Sequence, residues 1–89
     1  MANITNARQL GAVVRAARKK QGLSQESLAA RAGVSRAWLA RFETGHPASS
    51  IAPIFRVLRS LDLGLTVGER TITDAEAAVL AALARREER

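Results

Sequence analysis

The sequence predicts an all-α domain of four helices over residues 1–62, followed over residues 63–89 by a short strand and a C-terminal helix. Apolar residues recur at helical spacing in four stretches, and most stretches lie between a capping Ser or Asn and a Gly. Alternation at every second residue occurs in one stretch, after Asp62. Leu, Ile, Val and Phe number 22 of 89 residues, enough for one small core and too many for a disordered chain.

The first helix is predicted over residues 7–21. Asn6 is its expected N-cap, and Gly22 is its expected stop. Its inner face has apolar residues at helical spacing: Leu10, Val13, Val14 and Ala17.

Residues 24–45 predict two short helices joined by a tight turn. Ser24 caps the first, which ends near Ala32, and Ser35 caps the second, which runs from Arg36 to about Thr44. Small residues are expected where the two helices approach most closely, at Ala29 and at Gly33, which also supplies a positive φ. An apolar wedge beneath them is formed by Val34, Leu39 and Phe42. The periodicity alone fits a plain helical hairpin equally well.

A fourth helix follows the loop TGHPASS, with Ser50 as its expected cap and Pro53 tolerated in its first turn. Its predicted apolar stripe consists of Ile51, Ile54, Phe55, Leu58 and Leu61.

The alternating residues Leu63, Leu65 and Val67 predict a strand. No other stretch offers it a convincing partner, so we expect it to pair with the same strand of a second copy and make a homodimer. The competing interpretation is an intrachain hairpin with Thr71 and Ile72.

Thr73 and Glu76 form a capping-box pattern before the last helix. Its narrow apolar stripe consists of Val79, Leu80 and Leu83. This helix docks on its own dimer, frays, or binds a partner protein, and the sequence leaves these alternatives open.

The charge is divided unevenly along the chain. Residues 1–60 carry ten Lys or Arg and two acidic residues, whereas residues 61–89 carry four Arg and six acidic residues. A polyanion is therefore the expected partner of the first part. A single His, no Cys and no nucleophile-base pattern predict no catalysis, no metal and no cofactor. With a polar start and no long apolar run, we expect a cytoplasmic or nucleoid-associated protein without membrane contact.

Three segments carry a resemblance to a known family: RKKQGLSQESLA, RAGVSRAWLARFETG and IAPIFRVLRSLDL. Residues 10–63 resemble the helix-turn-helix domains of the lambdoid repressor, Cro and XRE-like superfamily. The resemblance implies a lambda-repressor-like four-helix fold over residues 1–62 whose third helix enters the DNA major groove, with residues 63–89 as dimerisation strand and C-terminal helix.

The resemblance also implies which residues contact DNA. Gln25 matches a glutamine near a phosphate, and the loop after the third helix matches a phosphate contact that includes Ser49. Arg36 is the strongest candidate for base readout, because a guanidinium fits guanine O6 and N7, although a phosphate clamp is equally compatible. The full set of expected DNA-binding residues is Gln25, Ser35, Arg36, Ala37, Trp38, Ala40, Arg41, Thr44 and His46.

Two further assignments follow from the resemblance. Trp38 departs from the small polar residue common at this position, and we favour a partly exposed indole along the sugar-phosphate backbone over a buried one. Arg18 and Glu43 match a structural salt bridge between the first and third helices.

The predicted function is a sequence-specific homodimeric repressor on a palindromic DNA operator, with half-sites about 10 bp apart or a multiple of it. The stretch SLDLGLTV after the fourth helix resembles HipB-type antitoxins, which implies repression of its own operon and a HipA-like kinase toxin as partner. The alternatives are a stand-alone or phage-type regulator without a toxin and a protein-interaction adaptor.

Overall fold

The computed structural model describes residues 3–48, 50–69 and 74–87, and within the last range the side chains of residues 78–85. It contains five helices: α1 Ala7–Lys20, α2 Gln25–Ala32, α3 Arg36–Glu43, α4 Ala52–Ser60 and α5 Asp74–Glu87. The predicted all-α fold, with four helices followed by a fifth, is confirmed. None of the described helices is long and apolar enough to cross a membrane.

The first three helices begin at the predicted caps. The side chains of Asn6, Ser24 and Ser35 each accept a hydrogen bond from the backbone N–H three residues later, at 2.8, 3.0 and 3.0 Å. The predicted Ser50 cap of α4 is wrong, because Ile51 holds the cap position and no side chain bonds the helix start. Three residues after Ser50 stands Pro53, which has no N–H to donate.

The ends of α1 to α4 share one backbone geometry. A residue one or two positions after each helix has a left-handed backbone, with φ of 72° at Gly22, 68° at Gly33, 97° at Gly45 and 57° at Asp62. The next N–H then bonds back into the last turn, as from Leu63 to the Leu58 carbonyl oxygen at 2.8 Å. Each helix therefore ends sharply and the chain turns back onto the core.

The core lies between the first four helices. α2 packs on both α3 and α4, and α1 packs on α3. The fully buried side chains of the core are Val14, Leu28, Leu39, Val57 and Leu61. The predicted wedge is confirmed, since Leu39 and Phe42 are buried and Val34 packs against them from a half-buried position.

The tightest helix contact involves Gly11 of α1. A Cβ at this position would overlap the Phe42 carbonyl oxygen and lie 3.2 Å from the Glu43 carbonyl carbon. Ala29 is buried as predicted, but a Cβ at Gly33 would have no atom within 4 Å, so the prediction of a close approach there is wrong. Gly33 is required by its positive φ alone.

The apolar face of α4 is rotated from the prediction. Val57, Leu58 and Leu61 are buried, whereas Ile51 and Phe55 are 62% and 42% exposed. The contact with α2 decides which face turns inward, and Arg56 reinforces it by donating from Nε to the Ala32 carbonyl oxygen at 3.0 Å. Two large apolar side chains, Ile51 at the cap position and Phe55 within α4, therefore remain on the surface.

The predicted dimerising strand is not supported, because residues 63–69 form no strand within the described chain. The Leu63 N–H is already used in ending α4, and its side chain packs against the core. Leu65 and Val67 are 45% and 97% exposed. The alternative hairpin requires Thr71 and Ile72, which lie outside the described residues, as does Thr73 of the predicted capping box.

The C-terminal helix α5 forms as predicted. All three residues of its narrow apolar stripe, Val79, Leu80 and Leu83, are exposed. Among the described residues, α5 makes no extensive contact with another helix.

Candidate nucleic-acid interface

Helix α3 has one buried face and one exposed face. Leu39, Phe42 and Glu43 are buried against the core. The opposite side exposes Arg36, Ala37 and Arg41, with Ala40 half-buried between them. Because the inner face is packed tightly, the outer residues are presented from a fixed helix.

The exposed face of α3 is positively charged, and only small side chains lie between its two arginines. Arg36 and Arg41 lie five residues apart, about 7.5 Å along the helix axis. Alanines at 37 and 40 lie between them, so a flat or grooved surface can approach the helix closely. Two guanidiniums at this spacing suit phosphate oxygens or guanine edges.

The end of α3 is anchored by a buried ion pair. Arg18 Nε donates to Glu43 Oε2 at 2.7 Å and Nη2 donates to Oε1 at 3.0 Å, while Nη1 donates to the Leu23 carbonyl oxygen at 2.8 Å. Their side chains are 10% and 1% exposed. The hydrogen bonds to Glu43 raise the pKa of Arg18 above its usual value, against the opposing effect of burial. The structure thus brings together the two residues expected to pair.

Gln25, the first residue of α2, is half-buried and bonds to the same carboxylate. Its Nε2 donates to Glu43 Oε1 at 3.2 Å. Gln25 also lines a cleft of about 390 Å³ between the starts of α2 and α3. The cleft is lined by Arg18, Ser24, Gln25, Glu26 and Arg36.

Trp38 is half-buried and stacks on Phe42. Their ring centroids are 5.1 Å apart, with the ring planes 10° from parallel. The indole also lines a surface pocket with Arg41, His46 and Pro47. One side of the ring therefore packs on the core while another part meets the surface beside Arg41.

The loop after α3 places two expected phosphate contacts side by side on the surface. The Thr44 hydroxyl donates to the Arg41 carbonyl oxygen at 2.9 Å and lies 3.4 Å from His46 Nδ1. Ser35 is also exposed, and its hydroxyl oxygen caps α3. Ser49 lies outside the described residues. The dimerisation candidates Leu63, Leu65 and Val67 follow α4 and do not belong to the α3 surface.

Three positions that stabilise this frame were missed from the sequence. Gln21 Nε2 donates to the Leu61 carbonyl oxygen at 2.9 Å, and Arg56 bonds the end of α2. Both bonds join residues far apart in sequence, which no local pattern indicates. Gly11 did carry a signal, because a glycine inside a helix usually has a packing reason.

Nothing in the described residues forms a cluster of three or more His, Cys, Asp or Glu side chains that could hold a metal ion. The described site is instead a convex, positively charged helix face flanked by a cleft and a loop. Such a surface fits an extended polyanion better than a small substrate.

The family model described as helix-turn-helix matches residues 14–68, which include all of α2, α3 and α4. The chain belongs to the XRE-type helix-turn-helix family of transcriptional regulators.

Two relatives support this membership. The HTH-type transcriptional regulator y4mF of Sinorhizobium fredii is 38% identical over 64 residues, which cover 68% of this chain and 84% of that regulator. Antitoxin HipB of Escherichia coli O6:H1 is 30% identical over 70 residues, covering 79% of this chain and 74% of HipB. One relative is therefore a transcriptional regulator and the other an antitoxin.

The fold is similar to that of HipB in the HipA-HipB-O2-O3 complex. The TM-score is 0.73 at 25% sequence identity, over 80% of this chain and all of that chain. The predicted resemblance to HipB-type members of the family is thereby confirmed.

Proposed function

We propose that this protein is a sequence-specific transcriptional repressor that binds a palindromic DNA operator as a homodimer. The observation that carries the proposal is the geometry of α3. Its inner face is locked into the core and held at its end by the Arg18–Glu43 pair. Its outer face presents Arg36, Ala37 and Arg41 to solvent.

Within this proposal, each exposed residue has a contact that suits its chemistry. Arg36 binds guanine O6 and N7, and Ala37 packs on a thymine methyl group. Gln25, Ser35, Arg41, Thr44 and His46 bind the phosphate backbone. Trp38 lies along the backbone with the part of its ring that reaches the surface, and Ala40 allows close approach.

The homodimer is supported by an apolar surface at the end of the domain. Ile51 at the start of α4, Phe55 within α4 and Leu65 of the following segment are all exposed. Leu63 lines a groove beside them together with Phe55 and Arg59. In the proposed homodimer, two copies bury this surface, with Val67 at its margin, and their two α3 helices enter successive major grooves about 10 bp apart or a multiple of it.

DNA binding is tested by measuring affinity for the upstream DNA over a range of salt concentrations. Arg36→Ala should weaken specific binding by about tenfold or more, since a bidentate arginine–guanine contact contributes about 1–3 kcal/mol. The matched control is Arg31→Ala, an exposed arginine in the last turn of α2. If Arg36→Ala leaves the affinity for DNA unchanged and this affinity depends little on salt, the results would instead support a protein-interaction adaptor.

We further propose that the protein is the antitoxin of a HipAB-like system, represses its own operon and binds a kinase-like toxin. Its support is the 30% identity to antitoxin HipB and the fold shared with HipB in a complex that contains HipA. The exposed apolar stripe of α5 offers a surface for such a partner.

Co-purification from the native operon, together with footprinting of the upstream DNA, tests the antitoxin proposal. A kinase-like protein should be recovered with this chain. Recovery of the chain alone, with the promoter still protected, would leave a stand-alone regulator, an alternative supported by the 38% identity to the regulator y4mF.

A further inference from the structure

Glu43, the last residue of α3, accepts a hydrogen bond from Gln25 in addition to those from its ion-pair partner Arg18. Arg18 bonds both carboxylate oxygens, at 2.7 and 3.0 Å. Gln25 adds a third bond, from Nε2 to Oε1 at 3.2 Å. This third bond ties a half-buried amide at the start of α2 to the end of the DNA-facing helix.

The third bond decides which way the Gln25 amide points. A carboxylate only accepts hydrogen bonds, so Gln25 must turn its NH₂ group, and not its carbonyl, toward Glu43. Among the described residues, no acceptor bonds the second N–H of that group. Gln25 also borders the cleft between α2 and α3, where Glu26 and Arg36 form other parts of the wall.

A DNA phosphate is also an acceptor only. It can bind the second N–H of Gln25 but is repelled by the amide carbonyl. The amide orientation that Glu43 imposes is therefore the one that a phosphate requires. Arg18 neutralises the Glu43 carboxylate, which limits its repulsion of the same phosphate.

We propose that Glu43 is a positioning residue for DNA binding, which holds the Gln25 NH₂ group in the orientation that binds a backbone phosphate. This inference rests on the proposed DNA-binding function. It gives Glu43 a part in DNA affinity in addition to its pairing with Arg18.

The variant Glu43→Gln distinguishes a role of Glu43 in orienting the Gln25 amide from an effect of its negative charge alone. Glutamine has nearly the same shape, but it both donates and accepts, so Gln25 is free to turn its carbonyl toward the phosphate. Positioning predicts that operator affinity falls about fivefold, the value of one hydrogen bond. Charge alone predicts the opposite, because removing a negative group near DNA favours binding.

Glu26→Gln is the matched control. Glu26 lies in the same cleft and is adjacent to Gln25, and among the described residues it makes no hydrogen bond to the Gln25 amide. Its replacement should leave operator affinity unchanged or raise it. If Glu43→Gln raises affinity as well, the positioning proposal is wrong.

A double variant gives a second test. Gln25→Ala should weaken binding about fivefold, with an unchanged salt dependence because the amide is neutral. Adding Glu43→Gln to Gln25→Ala should weaken it no further. Additive losses would show that Glu43 acts on DNA affinity without Gln25.

Loss of the buried charge can also unfold the domain, so each variant is checked by circular dichroism at the assay temperature. If Glu43→Gln is unfolded there, side-chain amide hydrogen exchange in the unmodified protein decides. The Gln25 NH₂ should exchange more slowly than that of Gln9, whose carbonyl oxygen, rather than its NH₂ group, is bonded by Thr5. Equal exchange rates would refute the proposal.

The two proposals fail in different ways. If Arg36→Ala leaves DNA binding unchanged and binding lacks salt dependence, the DNA-binding function itself is wrong. If Arg36→Ala weakens binding while Glu43→Gln behaves like Glu26→Gln, only the positioning of Gln25 is wrong.

Discussion

At the residue scale, Asp62 occupies a position that glycine occupies after α1, α2 and α3. Its φ of 57° is left-handed, which costs about 1 kcal/mol or more for a residue with a Cβ. Its carboxylate also lies at the C-terminal end of α4, where negative charge is unfavourable. We predict that Asp62→Gly raises the free energy of unfolding by about 1 kcal/mol, measured by urea denaturation.

The control is Asp62→Asn, which removes the charge and keeps a side chain tolerated in the left-handed region. This variant should show only the part of the increase in unfolding free energy that comes from removing the charge. Equal stability of the two variants would show that backbone strain at position 62 contributes nothing measurable.

A second prediction at the residue scale concerns the buried Arg18–Glu43 pair. Arg18→Ala leaves the Glu43 carboxylate buried, with the Gln25 amide as its one remaining partner among the described residues. The domain should lose about 3–5 kcal/mol of unfolding free energy. Urea denaturation of the two proteins at the same pH measures this loss.

Removing both charges is the control for that loss. Arg18→Met combined with Glu43→Met should be less destabilising than Arg18→Ala, since no unpaired charge remains buried. If the double variant is the less stable protein, the hydrogen bonds of the pair, and not the unpaired charge, dominate its contribution.

Single residues were predictable where the interaction is local. The caps Asn6, Ser24 and Ser35 follow from residue type, because each bond spans three residues. Ser50 failed although it has the right type, since the partner N–H is missing from Pro53. The bond from Gln21 to Leu61 spans 40 residues, so local sequence holds no signal for it.

At the element scale, the contact between α1 and α3 depends on Gly11. Alanine is the better helix former by about 1 kcal/mol, yet its Cβ would overlap the Phe42 carbonyl oxygen. Helix α1 would have to move away from α3, which disturbs the packing around both. We therefore predict that Gly11→Ala lowers the unfolding free energy by about 2 kcal/mol, measured by urea or thermal denaturation.

Gly64→Ala is the matched control for the added methyl group. A Cβ at Gly64 has no atom within 4 Å, so its effect should stay within about 0.5 kcal/mol. Similar losses in the two variants would mean that the tight contact at Gly11 is not what limits its substitution.

The bounds of the helices were easier to predict from the sequence than the face that each helix buries. The bounds of α1, α2 and α3 follow from caps and stops on either side. The burial of Val57 and the exposure of Ile51 depend on the angle at which α4 meets α2, which periodicity does not specify. The predicted strand is not supported by the structure for a related reason, since alternation at Leu63, Leu65 and Val67 identifies no pairing partner.

At the scale of the whole molecule, the two ends of the helix-turn-helix domain carry different surfaces. The α3 side is positively charged, whereas the far end of α4 is apolar around Phe55 and Leu65. A small domain that exposes several large apolar side chains together gains by covering them. The homodimer proposal assigns that surface to a second copy, so assembly and DNA affinity should fall together when it is disrupted.

Phe55→Glu tests this link, because a carboxylate at the interface must lose water on association without gaining a partner. We predict that light scattering coupled to gel filtration shows a monomer for Phe55→Glu. Val79→Glu on α5 is the control, since Val79 is also exposed and lies outside the proposed interface. Operator affinity should fall by two orders of magnitude or more in Phe55→Glu alone, because each α3 then binds its half-site without the other. A Phe55→Glu protein that remains dimeric, or a Val79→Glu protein that dissociates, would move the interface from α4 to another part of the chain.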